Sequence, residues 1–465
     1  MLLTAIRPLS HVQRKPEFFL RSSLVALLAF ASVFFPRVLD SLGAPSAINF
    51  AHFAIVPAAL FIVLQKCRIR ERQQVLIIQL LLFGCLLLLT VILASTLLNQ
   101  AGLVNAVLSY LLLGEPFIFL IILTALPLSV PRFLLFQRWI RRFCLFHIFL
   151  AMFQQYVLQL HKYDFGMEPE DNIQGVFFLS GAGHVVGTSV SLSFGVYYLF
   201  TAKDVPLWFR ITIMLLAAWQ MIIADGKQVL PALVAGWVLL VVMKLKDIVQ
   251  LIKYLVSIIV FGGAFYWGMY NIPALHAFTV WMRPELYGPE GEATLLKTAA
   301  FRIVPQYYDS FLNWFVGLGP GHTVGRLGGW MLGEYASLLN PLGATRHEAS
   351  GAVWRAAGDS WLGNQSSMFS PLFGWAGIWG DIGILGILAY FFLAYVVWRY
   401  IALDDISKIL LLSVFATGLI FSQLEEPAYM LTIAAIVGLR WHEIRMEKSG
   451  TDIYSYRKGG YWSFL

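Results

Sequence analysis

Apolar residues run along this chain in long blocks, and short polar stretches separate them. Twelve blocks approach the roughly 20 residues that cross a hydrocarbon core, at about 18–36, 47–65, 75–97, 104–129, 143–160, 183–201, 209–224, 228–243, 252–270, 371–398, 409–424 and 427–440. Several are short, notably the seventh, eighth, eleventh and twelfth. The pattern predicts an all-α, polytopic integral membrane protein of about twelve transmembrane helices with one large extracytoplasmic loop. Residues 1–270 form helices one to nine, 271–370 the loop with short helices, 371–440 helices ten to twelve, and 441–465 a cytoplasmic tail.

The basic residues test this reading independently, because Lys and Arg accumulate in cytoplasmic loops. With the N-terminus inside, 24 of the 33 Lys and Arg fall at inner loops or inner helix ends. Both termini are then cytoplasmic and 271–370 lies outside. The first apolar block follows a basic stretch and reads as an uncleaved signal anchor, although "LGAPSA" after it resembles a cleavage site.

Composition agrees. The chain is 59% hydrophobic and 13% charged, with mean hydropathy +0.72, against about 25% charged residues in soluble domains. The net charge of +7 is therefore read as loop bias and not as a nucleic-acid surface. Cys67, Cys85 and Cys144 are too scattered for a disulfide framework or a metal motif. No His or carboxylate spacing suggests a metal ligand set, and no cofactor is expected.

Nine basic residues remain at the outer face, five of them between Lys297 and Arg355. Two readings stand: a solvated surface loop with ordinary ion pairs, or an anion-binding cavity at the outer leaflet. The second gains from a helix-like stretch, 295–317, carrying Arg302 and Asp309. It runs into "GLGPGHTVGRLGG" (317–329), with Gly319, Gly321, His322 and Arg326. Such a glycine-rich backbone can offer N–H groups to an oxyanion. The segment "GATRHEASGAVWRAAGDSW" then brings Arg346, His347, Glu348, Arg355 and Asp359 together, and the arginine fork suits diphosphates. The glycines match neither the dinucleotide fingerprint nor a Walker loop, and no useful nucleotide pool exists outside the membrane.

Other outer signals are Asp225 and Lys227 in "IIADGKQVL", read as a plain turn with an ion pair or as a cation facing the same cavity. Asp381 lies within "SPLFGWAGIWGDIGILG". A carboxylate inside an apolar run faces the bundle interior, and an Arg or Lys is its expected partner. Glu115 and the Glu425–Glu426 pair raise the same question. His161, His184, His276, His322 and His347 are the outer histidines considered as bases.

An Arg and then a Trp ahead of a "GxGPG" segment (Arg302, Trp314, Gly317–Gly321), and a "DxGxxG" element (Asp381, Gly383, Gly386) opening the next apolar block, resemble the O-antigen ligase/polymerase superfamily. The topology covers the whole chain; the motifs cover about 220–240 and 300–390. The resemblance implies a GT-C-like, metal-independent inner-membrane glycosyltransferase whose active site faces the periplasm. Its donor would be an undecaprenyl-diphosphate-linked oligosaccharide, and its acceptor a second glycan. It also implies a chain-length regulator or flippase as a partner. By position, Arg302 would contact the donor diphosphate and Lys227 would replace a basic residue near that helix end. Arg326, Arg346 and Arg355 would add charge. Asp381, Gly319 and Gly321 would be orienting elements. Many ligases place a His-Asn pair nine residues before the acidic residue; here that position is Leu372, beside Ser370 and Pro371. The pattern is closer to the exopolysaccharide and O-antigen polymerase branch, with His347, Glu348 or His322 as the base. The alternatives are a ligase transferring to lipid A-core or another acceptor, and a membrane transporter, whose ionisable residues would spread through many spans.

Overall fold

A computed structural model describes residues 22–66, 71–126, 128–166, 168–180, 182–244, 248–365, 367–371 and 373–449. The basic groups at 7–21, 68–70, 246 and 457–458, as well as Cys67, Leu372 and the tail from 450, lie outside the described residues. Among those described, every regular element is helical.

Helices lie on all twelve apolar blocks: α1 Ser22–Phe34, α2 His52–Lys66, α3 Arg72–Leu98, α4 Leu103–Ala125, α5 Val130–Tyr156, α6 Gly183–Thr201, α7 Leu207–Ile223, α8 Val229–Met243 and α9 Ile248–Asn271. Helices α10 Glu292–Ile303 and α11 Glu348–Gly358 follow in the loop. Then come α12 Gly374–Tyr400, α13 Asp405–Thr417 and α14 Pro427–Lys448. Among the described residues, four stretches are long and apolar enough by themselves to cross a membrane: Ser46–Gln65, Arg72–Leu98, Leu103–Ala125 and Gly374–Tyr400. The protein is thus an all-α membrane protein. Several other helices are shorter or carry more charge at their ends.

Helix α4 is the hub, with 89% of its apolar window buried. It packs against α2, α3 and α14, while α3 packs on α12, and α6 on α7 and α14. Helices α8 and α13 meet closely because Gly236 lies against the Ser413 backbone, where a Cβ would come within 2.5 Å of its nitrogen. Small residues permit this approach in a bilayer, where tight packing replaces the hydrophobic drive. Helix α9 instead exposes Ile259, Val260, Tyr266 and Trp267, an apolar surface that lipid covers.

The ion pairs among the described residues sort into two sets. Arg141–Asp204, Lys244–Asp405, Arg440–Asp404, Arg440–Glu443 and Arg445–Glu71 join groups at one end of the bundle. Arg37–Asp40, His52–Glu115, His184–Asp171, Lys227–Asp225 and Arg326–Glu426 join groups toward the other. The 271–370 segment lies against the second end and is pegged there by Lys297. Its Nζ donates to the Ser370 and Ile420 carbonyls, each at 2.8 Å, and burial drives this amine down to about 7.

Candidate functional site at one end of the bundle

Helix α12 has non-helical backbone at Gly383 (φ 67°, ψ −166°), which falls in the region that favours glycine. Just before it, Asp381 collects donors from the glycine segment. Its Oδ2 accepts from the Gly321 N–H at 2.7 Å. Its Oδ1 accepts from the Thr323 N–H at 2.8 Å and from the Thr323 hydroxyl at 2.6 Å. The Asp381 carbonyl accepts from the Ser95 hydroxyl and the Gly319 N–H, and the Gly380 carbonyl from the Leu318 N–H. The backbone donors expected to hold a ligand oxyanion therefore hold the protein's own carboxylate. The expected Arg or Lys partner of Asp381 is likewise replaced by these donors, because three of them satisfy a buried carboxylate without a second charge. Asn105 fixes the same segment, bonding the Pro320 and Thr345 carbonyls and accepting from the Thr345 N–H.

Beyond this anchor the chain enters a π-helical turn, Leu327–Met331. Glu425 caps it, accepting from the Arg326 N–H at 2.6 Å and from the Leu327 N–H at 3.4 Å. Burial first, and then Asp381, push the Glu425 carboxyl up to about 8. Fixed in this way, the Arg326 side chain pairs with Glu426 and stacks over the Trp330 ring at 4.7 Å.

Arg326 stands in the wall between two spaces. The outer is a cavity of about 590 Å³ whose lining includes Arg37, His184, Trp330, Glu334, Trp354 and Glu426. The inner is a pocket of about 60 Å³ reached by Arg37, His52, Leu112, Tyr335 and Glu426. They share Arg37, Val186, Arg326, Trp330 and Glu426. Arg37 is aimed by the Tyr335 hydroxyl (2.9 Å) and by the Leu179 carbonyl (3.2 Å), to both of which it donates. Among the described residues, buried Arg326 Nε and His184 Nδ1 have no hydrogen-bond partner. Behind His184, Asp171 stands 3.4 Å from Nε2; its carboxyl is pushed up to about 7 by burial and by Asp225, Glu168 and Glu170.

The inner pocket contains a buried histidine–carboxylate contact. His52 Nδ1 lies 2.8 Å from both Glu115 oxygens, and Glu115 is fully buried. Pro116 follows in α4. Proline has no N–H, so the Leu112 carbonyl on the pocket wall loses its usual helical donor.

The residues expected from sequence are distributed unevenly around these spaces. Arg326 is central. Arg302 folds back on its own helix, donating to Thr298 Oγ1 and the Leu295 carbonyl, and is exposed. Arg346 donates to the Leu332 carbonyl, and Arg355 lies exposed on α11. Lys227 pairs with Asp225 at 2.6 Å. His322 has both nitrogens engaged: Nδ1 bonds the Leu318 carbonyl and Nε2 the Thr345 hydroxyl, each at 2.8 Å. Burial, and next His347, hold its pKa below the usual value. His347 caps α11 by accepting from the Ala349 N–H, stacks near His322 and meets the Tyr307 ring edge-on. Glu348 is exposed in the first turn of α11, where the helix dipole favours a carboxylate.

His52 is the site residue that sequence reasoning left aside; Glu115 was raised there without a partner, and Arg37 was counted among the outer basic residues without a role. Glu115 in an apolar run demanded a partner, and His52 at the head of the second apolar block was within reach as that partner. The chain matches no protein-family model and no curated protein.

Proposed function

We propose that the protein is a glycosyltransferase of the bacterial inner membrane, a bundle of twelve spans with GT-C-like organisation and cytoplasmic termini. It polymerises undecaprenyl-diphosphate-linked oligosaccharide repeat units in its periplasm-facing cavity. The observation that carries this reading is that Arg37 and Arg326 both line one cavity of about 590 Å³. That volume falls within the range of small-molecule sites, about 300–1,000 Å³, and the apolar helices around it suit a lipid carrier.

The chemistry follows from the donor. Its anomeric carbon is already activated by a diphosphate leaving group, so the protein has to stabilise the charge that develops as the C–O bond breaks. Two arginines held by Glu426, Tyr335 and the Leu179 carbonyl supply preorganised donors. Glu426 occupies one terminal nitrogen of Arg326 and fixes the direction of the remaining fork. Trp330 and Trp354 offer faces for sugar rings.

A deletion strain tests the reading. Loss of polymerase activity leaves single repeat units on the normal acceptor. Full-length chains stranded on the lipid diphosphate would make the protein a ligase instead. Unaltered surface glycan together with altered solute uptake would overturn both.

A further inference from the structure

The inner pocket and its buried pair point to the acceptor side of the reaction. Resting on the glycosyl-transfer reading, we propose that His52 is the general base that deprotonates the acceptor hydroxyl, with Glu115 as the residue that positions it.

A carboxylate only accepts hydrogen bonds. The two 2.8 Å contacts from Glu115 place a hydrogen on His52 Nδ1, so that in the neutral imidazole the lone pair is on Nε2. Nε2 has no hydrogen-bond partner among the described residues, and the ring lines the inner pocket with Arg37 and Arg326. A base oriented by a carboxylate, with its free nitrogen beside the cations that face the leaving group, is the arrangement general-base chemistry requires.

The size of the pocket decides what enters it. A water needs about 10–15 Å³ of such space, so 60 Å³ admits a hydroxyl arm but not a sugar ring. The rest of the acceptor and the donor stay in the 590 Å³ cavity, with the anomeric carbon brought to the junction of the two spaces beside Arg37 and Arg326.

The other histidines are less suited. Both His322 nitrogens are occupied. His347 spends Nδ1 on its helix cap and does not line either space. His184 faces the outer cavity, but its carboxylate contact is 3.4 Å and its other nitrogen is buried.

In the step, the acceptor oxygen attacks the anomeric carbon while the bond to the diphosphate oxygen breaks. The electron pair leaves on the diphosphate beside Arg37 and Arg326. The hydroxyl proton passes to His52 Nε2, Glu115 balances the imidazolium, and the proton then departs to the released diphosphate or to water.

The test uses the full-length protein in nanodiscs and, as substrate, the polyprenyl-diphosphate glycan extracted from the deletion strain. His52→Asn retains a donor to Glu115 but has no base. Turnover should fall on the order of 10²–10⁴-fold with the donor KM unchanged. Glu115→Gln should lower turnover less, again at unchanged KM, and carries the test if His52→Asn does not purify. Wild-type turnover in both variants would overturn the role of the pair and leave glycosyl transfer standing. Loss of donor binding along with turnover in both would make the pair a structural tie, which also overturns it. Absence of transfer by the wild-type protein would defeat the glycosyl-transfer reading itself.

Discussion

Gly317 and Gly383 each occupy the space the other's neighbours leave. A Cβ on Gly317 would lie 2.4 Å from the Asp381 carbonyl carbon, and one on Gly383 would lie 2.3 Å from the Phe315 carbonyl carbon. Both have positive φ, 71° and 67°. The loop backbone and the α12 backbone thus cross in direct contact, and any side chain at either position meets backbone that cannot rotate away.

Gly383→Ala should therefore destabilise the protein by more than about 3 kcal/mol, combining an unfavourable φ with a backbone collision. Thermal unfolding in detergent, followed by size-exclusion fluorescence, reads the loss. A variant that melts with the wild type would mean that the contact relaxes at little cost.

Arg326 and Arg302 separate the structural reading of the site from the positional one. Arg326→Ala removes the guanidinium between the two spaces and should reduce glycan chain growth by on the order of 10²-fold or more, as loss of one preorganised donor does. Arg302→Ala removes an exposed side chain bonded to its own helix and should reduce growth far less. Chain-length distributions on gels, normalised to membrane protein level, give the comparison. The reverse ranking would move the diphosphate site to α10.

Glu425 gives a pH dependence whose sign is fixed by burial. Its pKa rises from the model-compound value of 4.5 to about 8 in the folded protein, so the folded state binds the proton more tightly than the unfolded chain. The stability this confers is fully present below about pH 4.5 and is lost as pH rises toward 8. Unfolding temperature should fall across that window, and Glu425→Gln should flatten that part of the slope. Asp171, raised to about 7, contributes in the same direction and remains in the variant. An unchanged slope in Glu425→Gln would place the titration elsewhere.

The long-range organisation was legible because hydrophobic blocks and basic punctuation are one-dimensional signals. Helices stand where the apolar runs stand. Arg326 was also within reach, since it follows a glycine segment on the outer side. Side-chain destinations were not, because they depend on how each helix is rotated and on which distant residue meets it. Arg302 and Arg326 look alike as cations in one loop, yet one turns back on its own helix while the other has its backbone held by Glu425, 99 positions away, and its guanidinium paired with Glu426. His52 and Glu115, 63 positions apart, sit in different apolar runs, each apparently alone. The glycine motif was legible as a set of backbone donors, but the anion they bind is Asp381, whose distance in sequence hid it.

The bonds around Asp381 also have a mechanical consequence. The 317–323 strip is stitched to α12 through a side chain and through main chain, at Gly319, Gly321 and Thr323 on one side and Leu318 on the other. Lifting it would strip donors from a buried carboxylate and open the helix at its weakest point. The strip is thus a fixed jamb beside the cavity, and any motion that opens or closes the space has to proceed with that edge standing still.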